Sequence, residues 1–288
     1  MGHLLLGLVL AGTLLAVAGP HHGAAEPSVV FDTAAPATSS ARDACGKRPP
    51  RKPNGRPWTC SFVDDFGGPK LNRRHWKSFH DKVPAQKGSA CRRPKNSKVA
   101  GGQLRLTVKR TGATIGCQFT IGAVSTYHRF SQKYGRFQAR IKARATRERG
   151  LQESFWLWPD DRIKSNVKWP AAGEIDIAET YSQHPDLAVP FLHYNKDNNG
   201  GPKPGLNTSW DCKAKRGKWH VYTLIWGPSR IEIKVDGKRC LVNTSGNRAF
   251  KKKYIVAFTQ SVGLRGNSPT HETPLPATMQ VDYIRVWR

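Results

Sequence analysis

Gly135-Arg-Phe-Gln-Ala-Arg-Ile-Lys142 alternates polar and apolar residues without a break. Phe137, Ala139 and Ile141 fall on one side and Arg136, Gln138, Arg140 and Lys142 on the other. This period of two places successive side chains on opposite faces of a β-strand. The same pattern returns in Gln103-Leu-Arg-Leu-Thr-Val-Lys109 and in Met279-Gln-Val-Asp-Tyr-Ile-Arg-Val-Trp287. His220-Val-Tyr-Thr-Leu-Ile-Trp226 and Arg230-Ile-Glu-Ile-Lys-Val235 flank the turn signal Gly227-Pro228, and Asp236-Gly237 marks another. No stretch of twelve or more residues holds a helical period, and 27 Gly and 20 Pro against 2 Met favour a turn-rich chain. The expected fold class is all-β, a sandwich of two antiparallel sheets packed face to face.

Outward from these strands the chain changes character. With 288 residues it accommodates one large sandwich and an N-terminal extension. Leu4 to Leu15 form an apolar run followed by Ala16-Val17-Ala18, so residues 1–18 read as a cleavable export signal, too short to span a bilayer comfortably. The mature protein is then expected to be secreted, extracellular and without a membrane segment. Residues 19–57, rich in Pro, Ala, Ser, Gly and charge, read as a flexible basic linker, and 58–288 as the folded domain. Six cysteines agree with export and leave fifteen connectivities open. Pairing of sequence neighbours is expected: Cys45–Cys60, Cys91–Cys117 and Cys212–Cys240. No Cys-x-x-Cys pair exists to nominate a zinc site. The net charge of +27 would attract polyanions, yet no nucleic-acid-reading motif accompanies it.

The segment Trp169-Pro-Ala-Ala-Gly-Glu174-Ile-Asp176-Ile-Ala-Glu179 concentrates three carboxylates in a chain otherwise short of acids. Strict alternation would bury Glu179 beside Ile175 and Ile177. A β-bulge between Ile177 and Glu179 adds one residue and returns Glu179 to the face of Glu174 and Asp176. Glu174 and Glu179 then stand roughly 13 Å apart at Cα, with carboxyls on the order of 5–6 Å apart if the side chains lean together. Retaining glycosidases require about 5–5.5 Å between their two carboxyls. An exposed acidic strand or a calcium site would use the same residue types, although calcium prefers loops with nearby carbonyls. The residues alone leave these readings open.

At this motif the chain resembles glycoside hydrolase family 16. The resemblance extends through Phe62-Val-Asp-Asp-Phe66, Tyr134 to Lys142, Phe155-Trp-Leu-Trp-Pro159, Trp219-His-Val-Tyr222, Val235-Asp-Gly-Lys238 and Val281 to Val286. It implies a β-jelly-roll with a concave cleft and a secreted, retaining endo-β-glycosidase, with a β-1,3- or mixed-linkage glucan as default substrate. An acidic or sulfated glycan, a non-catalytic glycan-binding role and transglycosylation are alternatives on the same scaffold. By position Glu174 corresponds to the nucleophile, Asp176 to an assisting acid and Glu179 to the acid/base. Trp156, Trp158 and Trp169 are expected to stack on sugar rings, with His193 and Gln260 beside them in the cleft. Members of the family often carry a structural calcium, for which Asp282 stands in range, but no metal ligand or cofactor is assigned. The partner is a polysaccharide, with no specific nucleic acid, and a monomer is expected. Two departures stand out: Gln138 replaces a frequent Glu in what is read as the strand preceding the catalytic one, and Ser261-Val-Gly-Leu264 replaces a Gly-Gly.

Overall fold

Alternation in sequence becomes alternation in space. In Gly135–Lys142 each of Gly135, Phe137, Ala139 and Ile141 is buried and each residue between them is half-exposed. A computed structural model describes residues 45–83, 90–112, 116–163, 166–195 and 206–288. The expected signal, 1–18, and the first part of the expected linker lie outside these residues. Sixteen strands form among the described residues: β1 (Cys60–Asp64), β2 (Lys77–Ser78), β3 (Asp81–Lys82), β4 (Ala90–Arg92), β5 (Ser97–Val99), β6 (Leu104–Arg110), β7 (Phe119–Ser125), β8 (Gly135–Lys142), β9 (Leu151–Pro159), β10 (Glu174–Tyr181), β11 (Val189–His193), β12 (His220–Trp226), β13 (Ile231–Val235), β14 (Lys238–Asn243), β15 (Tyr254–Val262) and β16 (Ala277–Trp287).

They build two layers of a jelly-roll sandwich. One runs β11-β10-β9-β15-β7 and the other β6-β16-β8-β12-β13-β14, joined at one edge where β6 pairs with β7. Neighbours within both layers are antiparallel. The short β4–β7 pairing is parallel, and the Cys91–Cys117 disulfide joins β4 to the residues entering β7. Between the layers lies one apolar core to which Phe137, Leu224 and Ile284 contribute from one side and Leu157, Ile175 and Phe258 from the other. Burial of side chains this large stabilises the sandwich by roughly 1.5–3 kcal/mol each.

The other disulfides are Cys45–Cys60 and Cys212–Cys240. The stretch 45–57, assigned above to the linker, is tied to the sandwich at Cys45 and is otherwise mostly exposed. Cys45 is buried, Trp58 N–H donates to the Pro50 carbonyl, and Thr59 and Arg288 exchange two backbone hydrogen bonds.

The structure corrects one placement: β8 does not precede the catalytic strand. β9 intervenes, and β8 belongs to the opposite layer, where Gln138 donates to Thr223 Oγ1 at 3.0 Å. The Gln138 departure therefore does not touch the carboxylate strand.

Candidate active site

β10 pairs with β9 as Ile175↔Leu157 and Asp176↔Trp156, then resumes as Ala178↔Phe155 and Glu179↔Ser154. Ile177 is the extra residue, so the bulge sits one position earlier than expected. Ile177 and Ala178 consequently both enter the core, at 1% and 3% exposure. Glu174, Asp176, Glu179 and Tyr181 all turn to the outer face, the outcome a one-residue bulge dictates. The chain enters this strand through Gly173, whose φ is +90° and where a Cβ would lie 2.0 Å from the Tyr254 hydroxyl oxygen. Only glycine satisfies both conditions.

Each acid has its own partners. Trp169 Nε1 donates to Glu174 Oε2 at 2.7 Å. His193, paired with Glu174 across β10–β11, places Nε2 3.2 Å from Asp176 Oδ2. Glu179 accepts from Gln152 Nε2 at 2.7 Å and from the Tyr181 hydroxyl at 2.6 Å, with Ser154 Oγ at 3.4 Å. Burial, and then the Asp176 charge, push the Glu174 carboxyl well above its ordinary pKa, opposed by His193 and the Trp169 hydrogen bond. Burial, and then Glu179, push Asp176 well above as well. Glu174 and Asp176 therefore resist ionising together.

Glu174, Asp176 and His193 bring one ligand atom each within 4.8 Å of one another, a set that could hold a metal. The indole N–H of Trp169 occupies one oxygen of Glu174. Asp282, named above for a structural calcium, pairs with Arg140 at 2.8 Å.

Aromatic rings share the outer face with the acids. Trp169 is 45% exposed, and its ring centroid lies 5.3 Å from that of His193, which stacks on Phe191. Trp156 and Trp158 meet edge to face at 6.0 Å, and Trp156 Nε1 donates to Thr259 Oγ1 at 3.1 Å. They line a cavity of about 480 Å³ with Phe79, Tyr127 and Ala257. Trp169 and His193 stand beside the acids, Trp156 pairs with Asp176 across β9 and β10, and Trp158 lies beyond Trp156 on the same strand.

Gln260 does not join them. It shares the inward face of β15 with Phe258, is fully buried, and donates to the Gln152 and Ser261 carbonyls. It lies across from Glu153, which forms a buried two-pronged ion pair with Arg216 at 2.7 and 2.8 Å and accepts from Thr180. Gln260 belongs to this polar patch beneath the sheet and cannot touch a sugar from there. Conversely, Gln152, Ser154 and Tyr181 were missed. The signal existed: Gln152-x-Ser154-x-Trp156-x-Trp158 continues one alternating face, and Tyr181 follows Glu179 by one strand period.

Aromatic rings and three acids from one bulged strand, on the outer face of one sheet of a β-sandwich, suit a protein that acts on carbohydrate. The model for glycosyl hydrolases family 16 matches residues 86–283, and the chain belongs to that family. It is 29% identical over 210 residues to the beta-glucanase of Rhodothermus marinus, covering 68% of this chain and 71% of the relative. It is likewise 29% identical over 192 residues to glucan endo-1,3-beta-glucosidase A1 of Niallia circulans, covering 59% of this chain and 26% of that protein. The chain spans less than a third of the length of two of its curated relatives, the Niallia protein included. The crystal structure of the laminarinase from Rhodothermus marinus shares the fold, with a TM-score of 0.68 at 23% identity over 80% of this chain and 97% of that one.

Proposed function

We propose that this chain is a secreted endo-β-glycosidase that cleaves internal linkages of a β-1,3- or mixed-linkage glucan by retaining double displacement. The observation that carries this reading is the bulge at Ile177, which puts Glu174 and Glu179 on one face of β10 with different partners. Glu174 attacks the anomeric carbon as the glycosidic bond breaks, and the proton of Glu179 goes to the departing oxygen. Glu179 then takes a proton from water, whose oxygen displaces Glu174 from the anomeric carbon. Burial and the Glu179 charge favour a proton on Asp176, while His193 and the Trp169 hydrogen bond oppose the burial that raises Glu174.

A neutral glucan is supported by the charge of the cleft layer. β7, β9, β10, β11 and β15 contain neither Lys nor Arg. Arg92, on the rim of the aromatic cavity, is paired with Asp81 at 2.6 Å. The names of the Rhodothermus and Niallia relatives agree with a glucan. Three disulfides and the apolar run in residues 1–18 support export, with the folded unit acting as a monomer.

The test is release of reducing ends from laminarin, mixed-linkage glucan, cellulose and a sulfated galactan by the wild type and by Glu174→Gln. Internal cleavage of laminarin or mixed-linkage glucan, absent in the folded variant, is expected. Equal activity in the variant would overturn the assignment.

A further inference from the structure

The two layers of the sandwich carry charge unequally. The long cleft strands β7, β9, β10, β11 and β15 hold no Lys or Arg, and only the short β2 and β4 that pair with β7 add Lys77 and Arg92, whereas the opposite layer has three on β6, three on β8, two on β14 and one each on β5, β13 and β16. Arg136, Arg140 and Lys142 alternate with the buried Phe137, Ala139 and Ile141, so they project away from the core and away from the cleft.

On this opposite face a groove of about 620 Å³ runs between the N-terminal loop and the outer strands. It is lined by Arg51, Lys52, Trp58, Arg136, Arg230 and Lys234. Its one acid, Glu232, is already shared between Arg230 at 3.2 Å and Lys234 at 3.1 Å. Arg51 spends one guanidinium N–H on the Gly55 carbonyl and meets no carboxylate among the described residues. Arg136 is the telling member. Its Nε is buried without a hydrogen-bond partner, its guanidinium lies 5.7 Å from the Trp287 ring, and no described acid pairs with it. Burial works against its charge and is opposed only in part by Tyr283, with no carboxylate among the described residues to pair with it.

We propose that this groove is a second carbohydrate site, which holds an acidic polysaccharide bearing carboxylate or sulfate groups and so anchors the protein by the face opposite its cleft. Arg136 and the rim cations pair with the anionic groups, and a guanidinium matches the geometry of carboxylate or sulfate oxygens. Trp58, half-buried with Lys52 Nζ 4.9 Å from its ring centre, offers an apolar edge to the CH face of one sugar. Nucleic acid fits less well, since binding of a single strand uses a run of aromatic platforms, and of the two rings lining this groove Trp226 is buried, which leaves Trp58 alone to stack. The site does not depend on cleavage in the cleft, and its test reads binding rather than turnover.

The experiment compares wild type, the triple variant Arg51→Glu/Lys52→Glu/Lys234→Glu and a charge-matched control, Lys213→Glu/Lys215→Glu/Lys218→Glu, which lies outside the groove. Affinity is measured at about 0.15 M salt, where exposed charges act over about 8 Å. The probes are a sulfated galactan, polygalacturonate, neutral laminarin and a DNA duplex. The expected result is binding of either acidic glycan that weakens about tenfold or more in the groove variant and much less in the control. Laminarin turnover should be unchanged in both variants. Equal loss in the two triples would reduce the effect to net charge and overturn the site, as would undiminished binding in the groove variant. Tighter binding of the duplex than of either acidic glycan would overturn the choice of partner.

Discussion

Trp169 and Glu174, five residues apart, face each other across the turn that leads into β10, with the indole N–H 2.7 Å from Oε2. The ring that was expected to stack on sugar also fixes the carboxylate proposed to attack it. Trp169→Phe retains a ring and removes the donor, which separates the two roles. The expected outcome is a fall in kcat of about tenfold or more, the scale for loss of one positioning hydrogen bond in a reacting site, with a smaller change in KM. Steady-state kinetics on a soluble glucan check this. A raised KM with kcat intact would assign Trp169 to sugar binding alone.

Tyr181 and Gln152 hold the two oxygens of Glu179 from opposite sides, at 2.6 and 2.7 Å. Tyr181→Phe should reduce kcat about tenfold or more while the fold persists, because a misdirected acid/base forfeits part of a contribution of roughly 10²–10⁴. An aryl glycoside whose leaving group needs no protonation should be affected less in its first step. Comparable loss on both substrates would mean that Tyr181 supports the sheet rather than the proton transfer.

Glu174 also makes a prediction about stability. Its folded pKa is raised, first by burial and then by Asp176. The native state therefore binds a proton more tightly than the unfolded chain, whose Glu titrates near about 4.3. Stability is lost as pH rises from that value through the folded pKa, and the loss is complete above it. Glu174→Gln removes the penalty, so its Tm should exceed that of wild type at pH 7, by about 2–4 °C for each kcal/mol relieved, and match it below about pH 4. Thermal melts across pH decide the point, and a less stable variant at pH 7 would contradict it.

Gly173→Ala should be among the more damaging single-methyl changes in the chain. The residue sits at φ +90° with no room before the Tyr254 hydroxyl, which itself donates to the Ala249 carbonyl at 2.9 Å. Strain at such a position costs about 1–3 kcal/mol, and the displaced turn carries Trp169 and the start of β10 with it. Urea unfolding should show the loss, with activity falling further than stability. Tyr254→Phe in the same background should recover part of the stability.

Much of this was legible in the chain itself. β8, β13 and β16 show their period plainly because each has one wet face. The bulge was readable because Glu179 would otherwise enter the core, although its position at Ile177 was not. A break on either side of Ala178 rescues the acid, and only packing chooses between them. Gln260 misled because the cleft face of β15 carries the small residues Ala257, Thr259 and Ser261, so the strand shows little contrast between its sides. The Glu153–Arg216 pair joins residues 63 apart in sequence, beyond the reach of any local period. Charge segregation was hidden for the same reason. The basic residues are scattered along the chain, and only the strand order shows that those in long strands fall on one layer.

The covalent glycosyl ester on Glu174 is the claim on which the rest turns. Incubating the protein with a 2-deoxy-2-fluoro-β-glucoside carrying a good leaving group, then digesting and sequencing by mass spectrometry, would locate it. The expected product is a single sugar adduct on the carboxylate of Glu174, with turnover lost in step with labelling. An adduct on Glu179, or none while the sugar is released with inverted configuration, would contradict the mechanism.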